Sequence, residues 1–241
     1  MVYQGSKARI RKYILPFLQN CIDSHDIKYY IEPFVGGGNM IDHIRCENRI
    51  GSDINGDLIE LLKYMRDYPD MDIFPQECSF EHYQDVKKYR TIKYSVHYIA
   101  GIGYFASYGG MYFNGGYARN KTGKRNYFLE NLKNANKQAP NLKGIKFINC
   151  SFDDYLPSKF SNCLFYLDPP YKSTKQYVTK NFNYEMFYDW CREIAKRNYV
   201  FISEYEMPDD FDCIWKKEIK VTYDSKRTTG KIAVEKLFWR N

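Results

Sequence analysis

The stretch that most constrains the fold is Leu164-Phe165-Tyr166-Leu167-Asp168-Pro169-Pro170-Tyr171, an apolar run that ends abruptly at an acid and two prolines. Four consecutive apolar residues fit a strand buried on both faces of a parallel sheet, and such sheets place their ligand sites just beyond the strands' carboxyl ends. Asp168 stands at that edge. Pro169 and Pro170 have fixed φ and no N–H, and each pushes the residue before it out of the helical region. The chain therefore leaves the strand through a stiff turn whose carbonyls stay free to accept. An exocyclic amine on a nucleobase has its lone pair delocalised into the ring. Acceptors for its hydrogens, here the Asp168 carboxylate and the Pro169 carbonyl, would localise that pair for attack, with Tyr171 stacked on the flipped base. The same tetrapeptide serves equally well as a strand exit in which Asp168 caps a helix.

Two more strand ends follow the same pattern. Residues 28–34 read as a strand running into Val35-Gly36-Gly37-Gly38-Asn39-Met40-Ile41, so that strand, glycine turn and helix start succeed one another. Glycines let the backbone approach a ligand closely, and a nucleoside is the usual occupant of this position. The run is not G-x-G-x-x-G, because Ile41 fills the last place, which disfavours a pyrophosphate-bearing dinucleotide. Fifteen residues after Gly38 a second short strand ends in Asp53, where an α/β nucleoside site accepts hydrogen bonds from ribose hydroxyls. Taken alone, Asp53 would equally cap the helix expected over 57–65. A third strand at 145–148 closes on Ser151-Phe152-Asp153-Asp154. Strands over 199–203, 215–221 and 232–239 and helices over 9–20, with Pro16 inside, and 184–196 extend the α/β pattern.

Charge is the second constraint. The 241-residue chain has a net charge of +7, yet residues 86–146 hold twelve Lys/Arg against Glu130 alone, a net +11 that leaves −4 for the remainder. The same span holds eleven aromatics. Cations interleaved with aromatics suit a nucleic-acid surface, the first neutralising phosphates and the second stacking or wedging. Gly109-Gly110, Gly115-Gly116 and Gly123 flank short aromatic runs, which predicts a loop and a β-hairpin carrying Arg119, Asn120, Lys121, Lys124 and Arg125 near its tip. Lys87 and Lys88 join them as expected DNA contacts. No stretch approaches the ~18 apolar residues of a membrane span, and the first residues lack the apolar run of a signal peptide, so a cytoplasmic protein with no membrane partner is expected. Seven cysteines, an odd number without a C-x-x-C pair, are expected to be reduced, and four scattered histidines predict no metal site.

Four motifs stand in order: Gly5-Ser6-Lys7, Glu32-Pro33-Phe34-Val35-Gly36-Gly37-Gly38, Ser52-Asp53-Ile54-Asn55 and Asp168-Pro169-Pro170-Tyr171. With the basic insert ahead of the last, the chain resembles a Dam-type adenine-specific DNA methyltransferase over nearly its whole length. The resemblance implies an α/β fold, a Rossmann-like methyltransferase sheet built by 1–66 and 145–241, with a mainly helical and hairpin DNA-recognition domain inserted at 67–144. It implies S-adenosylmethionine as cofactor, double-stranded DNA as partner, and cofactor contacts from Tyr3, Lys7, Asp53 and Asp168. Phe34, Gly36, Gly38, Asp153 and Asp154 are further cofactor candidates beside them, and Asp168, Pro169, Pro170 and Tyr171 form the expected catalytic turn. The implied reaction is direct in-line methyl transfer to N6 of an adenine flipped from the duplex. Two departures from the family pattern stand out. Gly-Ser-Lys replaces the commoner Gly-Gly-Lys, and the 113–120 stretch differs in spacing from GATC-specific members, which leaves the target sequence open. Readings from other classes are a methyltransferase of RNA bases or protein amides, or a DNA-binding module with a vestigial cofactor site. A cognate restriction nuclease is a candidate partner, and a monomer or weak dimer is expected.

Overall fold

The computed structural model describes residues 1–119, 123–171, 182–221 and 231–240. Strands β1 (Tyr29–Glu32), β2 (Asn48–Asp53), β3 (Ile145–Asn149), β4 (Cys163–Leu167), β5 (Tyr199–Glu204), β6 (Asp212–Val221) and β7 (Lys231–Arg240) form one sheet in the order β3-β2-β1-β4-β5-β7-β6. The first five are parallel, and β7 runs antiparallel between β5 and β6. The strand order reverses between β1 and β4, and the crevice beyond the strand ends at such a switch point is where open α/β sheets bind ligands.

Strand β4 is buried at every position because its alternate side chains feed two cores. Leu164 and Tyr166 join Tyr30, Phe201 and Leu237 on the face covered by α1 (Arg11–Ser24) and α2 (Gly56–Asp67). Phe165 and Leu167 join Ile31, Val200, Ile202 and Phe238 on the other, under Phe187, Trp190, Cys191 and Ile194 of α6 (Tyr184–Ala195). Seen this way the sheet is Rossmann-like, with helices on both faces. No helix among the described residues is long and apolar enough to cross a membrane.

The glycine turn after β1 leads into a single 3-10 turn, Ile41–His43, where a helix was expected. Only fifteen residues separate Glu32 from Asn48. The glycine turn and the buried anchors Met40, Ile41 and Ile44 use most of them, leaving too few for a helix and its return.

The insert contributes α3 (Phe80–Lys93), α4 (Val96–Phe105) and α5 (Tyr127–Gln138). Helix α4 is buried from Ile99 to Phe105, packed between α2 and α3, and Phe74, Tyr83, Val86, Phe128 and Leu132 share the same core as α2. Helix α3 breaks at Arg90, whose φ of 25° is left-handed. Among the described residues the expected hairpin shows one bridge, Ser107 to Tyr117, closing a loop over 108–116. Gly109, Gly110 and Gly116 adopt left-handed φ and curl the chain within that loop. Arg119 follows the bridge, and residues 120–122 of the expected tip lie outside the described residues.

Candidate active site at the ends of β1, β2 and β4

The site begins with the N-terminal segment. Gly5 has a φ of 80°, which favours glycine, whereas Ser6 has an ordinary φ of −53° and its hydroxyl accepts the Ala8 amide at 3.3 Å, capping the turn Lys7–Arg9. Serine at the second position is thus accommodated. The turn aims Lys7 inward: its ammonium lies 2.7 Å from Asp168 Oδ1 and 4.5 Å from the centroid of the Tyr171 ring. Lys7 is 7% exposed and Asp168 21%. A cation held between a carboxylate and an aromatic face is a strong arrangement in a partly dry site.

Asp168 extends the alternation of Leu164 and Tyr166, so it points to the α1 face at the end of β4. Burial pushes its carboxyl up to about 6, opposed by the Lys7 ammonium and the Tyr171 hydroxyl and reinforced by the charge of Glu235. Among the described residues none donates to the Pro169 carbonyl, but the Pro170 carbonyl, expected free, accepts the Tyr184 hydroxyl at 2.7 Å. Tyr171, expected as an open stacking face, is buried at 8% exposure, its hydroxyl donating to Glu235 Oε2 at 2.8 Å and its ring edge-on to Tyr205 at 4.5 Å. The turn is stiffened by these partners as well as by its prolines.

At the end of β2, Asp53 accepts the Gly36 amide at 3.2 Å and the Asn55 amide at 2.9 Å. It is not the cap of α2. That duty falls to Asn55, whose side chain accepts the Leu58 amide at 3.2 Å. Two amides leave a carboxylate with acceptor capacity, and burial pushes Asp53 up against their pull. Gly36 has a φ of 49°, and a Cβ there would fall 2.8 Å from the Tyr3 ring, so the turn and Tyr3 pack as closely as glycine permits. Burial, and after it the charges of Asp53 and Asp168, raise the Tyr3 hydroxyl. Tyr104 backs it at 5.8 Å.

The structure brings Tyr3, Lys7, Gly36, Asp53, Asp168 and Tyr171 together. Phe34 lies to one side, stacked on Phe152 at 5.5 Å. Asp154 accepts the Ser151 amide at 2.8 Å, a capping contact, and Asp153 beside it is exposed. Two residues of the site were missed from sequence. Gln138, buried at the end of α5, donates to the carbonyls of Gly37 and Gly38 at 3.1 and 3.0 Å and clamps the glycine turn. Glu235 on β7 holds Tyr171. Each acts on a partner far away in the chain, so no local motif could reveal it.

Of the expected DNA contacts, Lys87 is exposed with its ammonium 3.3 Å from the Phe113 carbonyl, and Lys88 lies over Tyr89. The Arg119 guanidinium stacks over Phe80 at 4.1 Å, Lys124 is exposed, and Arg125 pairs with Glu130. Asn120 and Lys121 lie outside the described residues.

The pocket suits S-adenosylmethionine on three counts. The glycine turn packs directly against Tyr3, where a Cβ on Gly36 or Gly37 would collide with that side chain, Asp53 keeps acceptor capacity for a diol, and the Lys7 ammonium lies between Asp168 and the Tyr171 ring, where a cation fits.

Residues 3–206 match the family model described as D12 class N6 adenine-specific DNA methyltransferase. The type II methyltransferase M.MjaIII of Methanocaldococcus jannaschii is 28% identical over 78% of this chain and 73% of its own. Type II methyltransferase M1.LlaDCHI of Lactococcus lactis subsp. cremoris is 26% identical over 73% of this chain and 69% of its own. Among solved structures, a Haemophilus influenzae methylase superposes with a TM-score of 0.41 at 11% identity, over 96% of this chain and 88% of that one, a likeness too distant to carry an argument.

Proposed function

The chain belongs to the D12 class of N6 adenine-specific DNA methyltransferases, and on that premise we propose how its residues divide the work of methylating adenine in a specific double-stranded sequence. Bound S-adenosylmethionine supplies a methyl group on a sulfonium sulfur. Asp53 accepts the cofactor's ribose hydroxyls while bracing Gly36, and Tyr3, Gly36 and Gly38 shape the surface beneath it, with Phe34 and Asp153 at its margin. Asp168 and the Pro169 carbonyl would accept hydrogen bonds from the two N–H groups of the target amine, which turns its lone pair toward the methyl; as the N–C bond forms, the sulfonium C–S bond breaks and one amine proton leaves to solvent by way of Asp168. No covalent enzyme intermediate is needed, so catalysis rests on positioning and on charge fixed in advance.

An adenine in a duplex cannot reach a turn at the sheet edge, so the base is flipped into the site. Lys7 must then give up Asp168 Oδ1. A second cation or an amine arriving there replaces the bond that the Lys7 ammonium makes at 2.7 Å. The observation that carries the reading is this cluster: one strand-end carboxylate, a rigid turn and a cation beside a glycine floor.

The insert of 67–144 contacts DNA, with Lys87, Lys88, Lys121 and Lys124 on phosphates and Arg119 and Asn120 toward bases. Both relatives are named type II methyltransferases, so a cognate nuclease is the expected partner and a monomer or weak dimer the expected state. The test is methylation-sensitive sequencing of DNA from cells expressing the protein or its Asp168→Ala variant. N6-methyladenine at one recurrent motif, absent with the variant, supports the reading, and methyl transfer to RNA or protein instead of DNA overturns it.

A further inference from the structure

Strand β7 closes the sheet through its pairing with β5, and nothing in its sequence marks a catalytic element. One of its residues is nevertheless out of place. Glu235 is 6% exposed and sits two positions from Leu237, on the same face as Tyr166. Burying a carboxylate costs several kcal/mol unless other groups compensate it, and an apolar residue at that position would cost the sheet nothing of the kind. Its cross-strand neighbour on β6, Lys217, does not turn toward it: that ammonium lies 3.7 Å over the ring of Tyr13. What Glu235 does hold is the Tyr171 hydroxyl, at 2.8 Å.

We propose that Glu235 is a positioning residue for methyl transfer, whose carboxylate grips the Tyr171 hydroxyl to fix the aromatic ring of the catalytic turn. The inference rests on the reading of Asp168 as the acceptor carboxylate. Without the grip, Tyr171 follows two prolines and is braced by the edge contact with Tyr205 and by the cation of Lys7. With it, the ring is tied to the sheet itself, 64 residues away in the chain.

Among the described residues the charged or titratable groups around Asp168 and Glu235 are Lys7 from the N-terminal segment, Tyr3, Glu32 from β1, Tyr166 from β4, Tyr171 from the turn and Tyr205 after β5, with Lys217 across the ladder turned away to Tyr13. The charge of Glu235 disfavours the ionised form of Asp168, and the one hydroxyl proton of Tyr171 is committed to Glu235. Neutralising Glu235 therefore moves the acidity of Asp168 in a definite direction, which loss of mere packing would not do.

The experiment is calorimetry of S-adenosylmethionine binding across about pH 5 to 8, with wild type, Glu235→Gln, Tyr171→Phe and Asp168→Asn, each shown to be folded by its thermal melt. Wild-type affinity should rise with pH through a step that Asp168→Asn abolishes. Glu235→Gln should move that step to lower pH by about half a unit or more, whereas Tyr171→Phe, which keeps the Glu235 charge, should not lower it. At pH 8, where Asp168 is ionised in every variant, both should still slow single-turnover methylation by about tenfold or more, which reads the loss of ring position alone. A step unmoved in Glu235→Gln together with a rate within about threefold of wild type overturns the proposal. Should Glu235→Gln not fold, Tyr171→Phe decides alone: a wild-type rate overturns it. If Asp168→Asn keeps the wild-type step, it is the assignment of Asp168 that fails.

Discussion

Asp168 and Lys7 share one charge-assisted bond, and its pH dependence has a definite sign. The folded carboxyl titrates at about 6 against a reference of 3.8, because burial outweighs the pull of Lys7. A raised carboxyl contributes stability that is fully present below the unfolded value and is lost as pH rises through the folded one, here between about pH 4 and 6. Activity should run the other way, since only the ionised form accepts both the amine and a cation. Single-turnover rates should climb through the same window, and Lys7→Met, which removes the ion that lowers Asp168, should shift the climb to higher pH; a shift to lower pH would contradict this charge balance. Asp168→Ala should remove more than ~2 kcal/mol of transition-state stabilisation while DNA binding persists, and methylation within tenfold of wild type would sink its assignment as the catalytic carboxylate. Asp53→Ala should raise the dissociation constant for S-adenosylmethionine at least tenfold, in line with the ~1.5–3 kcal/mol of a hydrogen bond to a charged group. Unchanged affinity by calorimetry would reduce Asp53 to a brace for Gly36.

At the scale of elements, what could be read in advance was whatever a local pattern determines. The all-apolar run of β4 announced a strand buried on both faces, and the acids at the ends of β2 and β4 follow from where parallel strands stop. The helix expected after the glycine turn failed because chain length, a property of the whole β1–β2 connection, overrode the motif. Between Ser107 and Tyr117 the glycines bend the chain too sharply for more than one bridge, and the expected hairpin tip lies partly outside the described residues. Tertiary braces were invisible for a different reason. The Tyr184 hydroxyl on the Pro170 carbonyl, Glu235 under Tyr171 and Gln138 on the glycine turn each join segments that only the folded sheet brings together. Gln138 also ties α5 to the glycine turn, the loop proposed to lie under the cofactor. Gln138→Leu strands the buried carbonyl of Gly37 and leaves that of Gly38 with only the long Asp42 amide bond, at ~1–3 kcal/mol for an unsatisfied group. Chemical denaturation should show a lower midpoint, and calorimetry a weaker cofactor; a variant with both unchanged would mean that the glycine turn stands without its clamp.

Across the whole molecule the charge is divided, with +11 in residues 86–146 and −4 elsewhere, which suits the proposal that DNA meets the 86–146 stretch. That division could be read from sequence; which cations meet phosphates and which meet bases could not, because it depends on what each side chain already touches. Lys124 is exposed, and Lys124→Ala should weaken binding equally on all sequences and lower the salt slope by about one. Arg125 already pairs with Glu130, so Arg125→Ala should change the slope less. Arg119 differs from both. Its guanidinium is stacked on Phe80, which holds the fork flat and leaves its N–H edge as the part that can address a base. Arg119→Ala should therefore relax preference at one base pair by ~1–3 kcal/mol, and Arg119→Lys should do nearly the same, since an ammonium cannot stack or bond bidentately. Methylation rates on single-base variants of the preferred site decide the matter: if Arg119→Ala slows every site by the same factor, Arg119 is a phosphate clamp and sequence is read elsewhere.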